Sequence, residues 1–311
     1  MGLRLLCDGV ENPSNLARIA TVAQLLGGSC VELCEGRLIV VENTATARSI
    51  YGRRKLRETA TLAVGNERRG VSRATLAAAA ETLVIPTQSR SVRTLNVAAA
   101  ASVAGWYVLH GSGEQARSRH PDKRRPTVLL SGDDHVEVGS SLRSAAAFGL
   151  REVFLEDLGA SWFDGEHGRR REARAAARRH KNPLRVRRGS PSIAEQFEQV
   201  VVIVAQAEGA PLSRERLARG ARQLVVIGAD PERITAVAAN VRIATLGLAD
   251  GSPAPLRIVA SIALAELARQ TGSTVKRPPD AAPRTPVYEH ELTPAISAED
   301  LLLAPEILLE Y

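Results

Sequence analysis

The feature that most constrains this chain is an order of elements written twice. The first half has a strand-like "LRLLCDG" from Leu3, then a polar loop, an Ala-rich helix and a second strand. Later come "TLAVG", "TLVIP" and a final helical "LNVAAAASVAGWYVL". The second half repeats this order with "PTVLLSGD", "QLVVIG", "VRIATLG" and "LRIVASIALAELARQ". Strands alternating with helices predict a parallel α/β sheet in each half. The fold expected is therefore two tandem Rossmann-like domains, spanning 1–112 and 127–272. A basic, Gly- and Pro-punctuated linker occupies 113–126, and a Pro-rich, then acidic-apolar tail covers 273–311. The offset between copies is not constant: Thr21 aligns with Arg143, but Leu95 with Leu256. The second half therefore carries an insertion, around "DGEHGRRREARAAARRHKNP".

A length of 311 residues is ample for two cores, and the 3% aromatic content makes those cores aliphatic. The formal net charge of +7 favours an anionic partner. Its arginines are clustered, which points to nucleic acid more than to a uniformly basic surface. Arg171, Arg174 and Arg178 recur at helical spacing, and Arg53, Arg54, Lys55 and Arg57 form a second group. Both are candidate RNA-binding stretches, although a solvated helix face would look the same. No apolar run is long enough to cross a membrane, and Met1 leads straight into strand-like sequence, so a cytoplasmic location without membrane contact is expected. Cys7, Cys30 and Cys34 have no metal-ligand or redox spacing and read as buried thiols, so no metal is expected.

Three polar loops of the first half stand at predicted strand ends, where open parallel sheets place ligands. They are "ENPSNLAR", "VGNERRGVS" and "VIPTQSRSVRTLNVAAAA". Asn12, Ser14 and Asn15 suit a helix cap. The second loop matches neither a Walker loop nor the dinucleotide Gly-x-Gly-x-x-Gly fingerprint. Singly the loops say little, but their order is distinctive. Asn15, then Gly65-Asn66-Glu67-Arg68-Arg69-Gly70, then Ile85-Pro86, then Thr94-Leu95-Asn96-Val97 resembles the three motifs of SPOUT RNA methyltransferases of the SpoU–TrmH branch.

The resemblance implies a parallel sheet ending in a trefoil knot, one of the rare exceptions to unknotted topology. It implies S-adenosylmethionine as cofactor and methyl transfer to RNA, usually a ribose 2′-hydroxyl of tRNA or rRNA. The residues it assigns to the cofactor are Gly65, Asn66, Glu67, Ile85, Pro86, Thr94, Leu95 and Asn96. Asn15, Glu67 and Asn96 match polar residues of the family's reaction site. Thr94 stands where the family usually has Ser.

The pattern breaks six residues after Asn15, where the family has an Arg thought to act at the target ribose and this chain has Thr21. Arg18 is three helical positions away, about 60° around the axis. The second half has the opposite defects. It keeps Arg143 but has Glu137 in place of the motif Asn, "IGADPERI" in place of the Gly-x-Glu turn, and Leu256-Arg257 in place of Leu-Asn. Family members are usually homodimers whose sites draw on both subunits. The two halves are accordingly expected to pack as an intramolecular pseudo-dimer, with a cofactor pocket in the first and Arg143 supplied by the second. Arg143 paired with Glu137 is the bland alternative, and a non-catalytic RNA-binding descendant is the competing function. His135 reads as a polar loop residue.

Overall fold

The computed structural model describes residues 2–52, 54–56, 58–89, 92–111, 125–159, 162–163, 184–206, 209–217, 222–249 and 253–271. Most of the linker, the basic insertion with Arg171, Arg174 and Arg178, the tail, and Arg53 and Arg57 lie outside these.

The first half runs β1 (Leu3–Asp8), α1 (Pro13–Leu25), β2 (Ser29–Val31), β3 (Arg37–Val41), β4 (Arg48–Ser49), β5 (Ala60–Gly65), α2 (Arg73–Ala78), β6 (Glu81–Val84) and α3 (Val97–His110). The second runs β7 (Thr127–Gly132), α4 (His135–Ala147), β8 (Glu152–Asp157), β9 (Arg185–Arg188), β10 (Gln199–Val204), β11 (Ala210–Pro211), β12 (Gln223–Ile227), α5 (Pro231–Thr235), β13 (Val241–Thr245) and α6 (Leu256–Gln270). All named strand pairs are parallel. The central strands "ATLAV" and "QLVVI" are buried throughout, as expected of parallel strands covered on both faces.

The two sheets have one plan. Strand order is β2-β1-β5-β3-β6-β4 in the first and β11-β13-β10-β12-β7-β8-β9 in the second. Read from the other end, the second order reproduces the first strand for strand, with β9 added at the edge. The repeat visible in the sequence is thus a repeat of topology. β9, "RVRR", was not anticipated as a strand and follows the basic insertion.

One hydrophobic core cluster runs through both halves, from Leu3 and Leu62 to Val128, Val225 and Leu264. Its centre is the contact between α3 and α6. Both helices are buried on nearly every face, and their alanines let the backbones approach closely. Gly105 sits where a Cβ would run into the Leu26 side chain. Trp106 donates its indole N–H to the Leu246 carbonyl at 2.9 Å, and the Tyr107 hydroxyl donates to Glu266 at 2.5 Å. Arg269 and Gln270 also donate to Glu266, so this buried carboxylate has charged and neutral donors together. Burial beside it pushes the Tyr107 hydroxyl well above its ordinary pKa, and burial does the same to Tyr51.

A pair of backbone contacts joins the halves at matching places. The carbonyl of Ala147, the last residue of α4, accepts from Gln88 and Ser89 at 2.9 and 3.1 Å. The carbonyl of Leu25, the last residue of α1, accepts from Ala249 at 2.7 Å. In each case a loop following one half's sheet satisfies an orphan carbonyl at the end of the other half's helix.

One expectation is corrected. The cysteines are not buried: Cys30 and Cys34 are exposed and Cys7 is half-buried. Cys30 is on the edge strand β2 and Cys34 in the loop after it, while Cys7 is near the end of the interior strand β1. Cys7 and Cys30 also interact. Their strands place Cys30 opposite Leu5, so Cys7 lies on the same sheet face one step along. A hydrogen bond between the two thiols raises Cys7 and lowers Cys30 from the usual thiol value, while burial adds to the rise at Cys7.

Candidate active site

Three loops at the C-terminal ends of β1, β5 and β6 converge. Helix α1 begins with Asn12 as cap, its side chain accepting from Ser14 at 2.9 Å, and Pro13 in the first turn. The cap is therefore Asn12, which leaves Asn15 turned inward and 5% exposed. Asn15 donates its amide N–H to Glu67 and accepts from the Asn96 amide at 3.2 Å. Asn96 in turn caps α3, its carbonyl oxygen accepting from Ala98 at 3.0 Å. Each amide has its direction fixed by the next, because the α3 cap needs the Asn96 oxygen and the carboxylate needs the Asn15 N–H. The result is a directed hydrogen-bonded chain ending on an exposed carboxylate.

The Gly65–Gly70 turn that carries Glu67 is rigidly held. Asn66 and Gly70 exchange backbone hydrogen bonds at 3.0 and 2.9 Å. The buried Asn66 side chain accepts from Arg68 and Arg69 at 2.9 and 3.1 Å and donates to Gly9 at 2.7 Å. A Cβ on Gly65 would collide with the Gly70 backbone, and Gly70 has φ +79. Two carboxylates outside the motifs brace the same turn. Asp8 accepts from Ser72 at 2.6 Å and Glu42 accepts from Val71 at 2.9 Å. Neither lies in the three motif loops. The one available signal was that each is an acidic residue directly following an apolar strand.

The third loop starts at Ile85 and Pro86, both half-buried. Tyr51 donates its hydroxyl to the Pro86 carbonyl at 3.4 Å. Gln88, also missed, donates to the Ala268 carbonyl at 2.8 Å and accepts from Arg125, so the loop is anchored in the second half. Val92 is buried against Ala146 and Ala147 of α4. Leu95 is half-buried and Thr94 exposed.

Arg143 of α4 donates from Nη2 to the Thr94 hydroxyl at 3.1 Å, which brings the second half's arginine to the first half's third loop. Glu137 has other partners. Arg257, 1% exposed, pairs with it at 3.1 Å through its guanidinium and 3.1 Å through its backbone N–H. Arg18 pairs with it at 3.7 Å and also donates to Ser14. Thr21 turns into its own helix, donating to the Ala17 carbonyl at 3.1 Å.

In the second half the matching loops are occupied by protein. Leu256 packs against the ends of β7 and β12, so that a Cβ on Gly132 or Gly228 would meet its methyl carbons at 2.7 and 2.6 Å. Asp230, in the place of the Gly-x-Glu turn, merely caps α5, accepting from Glu232 at 2.9 Å. Arg54 and Lys55 are exposed beside the C-terminal end of α3, where Leu56 donates to the Val108 carbonyl at 2.9 Å, the opposite end of that helix from Asn96. Lys55 lines a separate cavity of about 370 Å³ with Leu25, His110 and Gly247. Among the described residues no group of His, Cys, Asp and Glu is arranged to hold a metal ion.

A parallel α/β unit with an amide–carboxylate chain and a braced glycine turn at its strand ends is laid out to bind a small polar ligand. Residues 29–106, within the first half, match the SpoU rRNA Methylase family. No curated protein matches it. Among solved structures, it resembles a TrmH-family protein from Porphyromonas gingivalis at 18% identity and TM-score 0.34, covering 48% of this chain and 61% of that one. It also resembles an rRNA methyltransferase from Sinorhizobium meliloti at 18% identity and TM-score 0.34, covering 49% and 59%. A TrmH/SpoU tRNA modifying enzyme from A. aeolicus gives 14% identity, TM-score 0.36, and 58% and 86%. The chain spans about three fifths of the length of the first two.

Proposed function

We propose that the protein is an S-adenosylmethionine-dependent RNA methyltransferase acting on a ribose 2′-hydroxyl of rRNA or tRNA. Its two halves form an intramolecular pseudo-dimer of knotted domains with one composite site. The observation that carries this reading is the Arg143–Thr94 contact, in which the arginine absent at Thr21 is replaced from the other half. The reciprocal contacts at Ala147 and Leu25 support the two-fold packing. The packing of Leu256 and Arg257 supports a single cofactor site, in the first half.

The residues present suit the cofactor. Half-buried Ile85 and Leu95 offer apolar faces for an adenine, and the carboxylate of Glu67 offers a counter-charge for a cationic sulfonium or ammonium. The bound cofactor supplies a sulfonium-activated methyl group. The protein's task is to align a ribose hydroxyl with it and to help that proton leave. Arg143 holds a phosphate or hydroxyl oxygen with its planar fork of donors. Asn15 and Asn96 fix the direction of the amide chain, and Glu67 at its end can accept a proton at a carboxylate oxygen. Arg53, Arg54, Lys55, Arg57, Arg171, Arg174 and Arg178 are proposed as RNA contacts on their charge alone, and of these only Arg54 and Lys55 are among the described residues.

The test is Arg143→Ala, with methyl transfer and cofactor affinity measured separately. Transfer should fall by at least ~100-fold, the usual scale for a positioned polar group, while cofactor affinity stays within a factor of two or so. Unchanged turnover would remove Arg143 from the site. The second reading, an RNA-binding protein without catalysis, is favoured by the inward turn of Thr21. Calorimetric titration with S-adenosylmethionine separates the two, with one site per chain for the enzyme and none for the binding protein.

A further inference from the structure

The chain has two tryptophans and uses them differently. Trp106 is buried between the halves, whereas Trp162 is half-buried on the loop after β8. Asp157 fixes that loop, its Oδ2 accepting the backbone N–H groups of Trp162 and Phe163 at 2.7 and 3.3 Å. The Trp162 ring lies 5.6 Å from the His135 ring at 31°, and the Arg188 guanidinium sits 4.8 Å above the Phe163 ring. Val136 and Leu158 flank this group at 37% and 48% exposure. They are two of the three large apolar side chains exposed among the described residues, so the patch is the main concentration of uncovered apolar surface. Beside it runs edge strand β9, with Arg185, Arg187 and Arg188 exposed. Arg187 is paired with Glu152 at 2.9 Å.

This patch stands on the candidate site's side of the molecule. His135 opens α4, and Glu137 two residues later meets Arg18 of the first half, one turn beyond Asn15. Arg143 is eight residues along the same helix, about 12 Å at 1.5 Å per residue.

We propose that Trp162, His135 and the Phe163–Arg188 pair form a stacking subsite for nucleobases of single-stranded RNA, flanking the nucleotide presented to Arg143. The proposal rests on the reading that the protein acts on RNA. Unpaired bases have flat apolar faces that stack on Trp, His and guanidinium planes, and the phosphates between them need cations. An aromatic and aliphatic patch with an arginine strand along its edge supplies both. The exposed Asp133 and Asp134 beside His135 oppose a phosphate there, which places the base over the rings and the backbone towards β9. Paired bases are stacked on each other, so the subsite selects unpaired RNA.

Binding of a short oligoadenylate to the full chain, followed by tryptophan fluorescence and by anisotropy of a labelled strand, tests this. The wild type should show quenching on binding; Trp162→Leu should lose the quenching and about tenfold in affinity, within the 1–3 kcal/mol per stacked base usual for such contacts. Trp162→Phe should keep most of the affinity. Inorganic polyphosphate, carrying charge without bases, should not quench, and duplex RNA of equal length should bind in a Trp162-independent way. Photocrosslinking of wild-type protein to the same strand should join RNA to the peptide containing Trp162, a readout that needs no variant to fold. Equal affinity and quenching in Trp162→Leu, or crosslinks confined to other peptides, would overturn the proposal. Because none of these readouts involves methyl transfer, its failure is distinct from failure of the enzyme reading, which the cofactor titration decides.

Discussion

At the scale of single residues, the candidate site depends on the direction of hydrogen bonds. Asn96 has a role in folding and a role in the site, since one side chain caps α3 and donates to Asn15. Asn96→Ala should therefore cost about 1 kcal/mol of stability, typical of a lost cap, and should also release Asn15 from one partner. Urea denaturation measures the first effect and cofactor titration the second. Asn96→Asp, which can still cap but cannot donate while ionised, should recover most of the stability and little of the binding. The cysteines allow another prediction. Cys30 is exposed and its thiol lowered, while Cys7 is half-buried and raised, so iodoacetamide at neutral pH should label Cys30 well before Cys7. Peptide mass spectrometry over a time course checks the order. Asn15, Glu67 and Asn96 were legible in the sequence because they sit in loops of recognisable order. Asp8, Glu42 and Gln88 were not, because each braces a loop far away in sequence and local spacing holds no trace of that.

At the scale of elements, helices α3 and α6 show how a polar network can sit inside an apolar contact. Tyr107 is neutral in the fold, and its pKa there is raised above the unfolded value. Its contribution is complete below the unfolded tyrosine pKa of about 10 and is lost as pH climbs above it. The protein should therefore unfold in alkali, with tyrosinate absorbance and loss of far-ultraviolet circular dichroism appearing together. Tyr107→Phe should move that transition to higher pH while lowering stability at neutral pH by about 1–3 kcal/mol, the range for leaving a buried polar partner short of a donor. The start of α4 depends on charge in a comparable way. Glu137→Ala would leave Arg257 buried without its carboxylate and should cost about 3–5 kcal/mol by chemical denaturation. The helices themselves were plain from the sequence, whereas β9 was not. Three arginines and one valine at the end of a basic run look like part of the run until a sheet edge is there to pair with them.

At the scale of the molecule, the largest core cluster takes side chains from both halves, and the clusters confined to one half, around Val202 and around Val40, are much smaller. Calorimetry and circular dichroism should report one coincident transition, and two resolved transitions would contradict the shared core. The duplicated strand order was legible because each copy repeats its strands and helices in the same sequence. The way the copies meet was not, since Gln88 to Ala147 and Ala249 to Leu25 are backbone contacts that any side chains would allow. That meeting has a consequence for how such a protein can change. In an assembly of two identical chains, every substitution appears on both sides of the axis at once. Here positions 21 and 143 sit in matching helices of a single chain, so threonine at one and arginine at the other is a combination no symmetric pair could hold. Each face can then be altered without altering its counterpart.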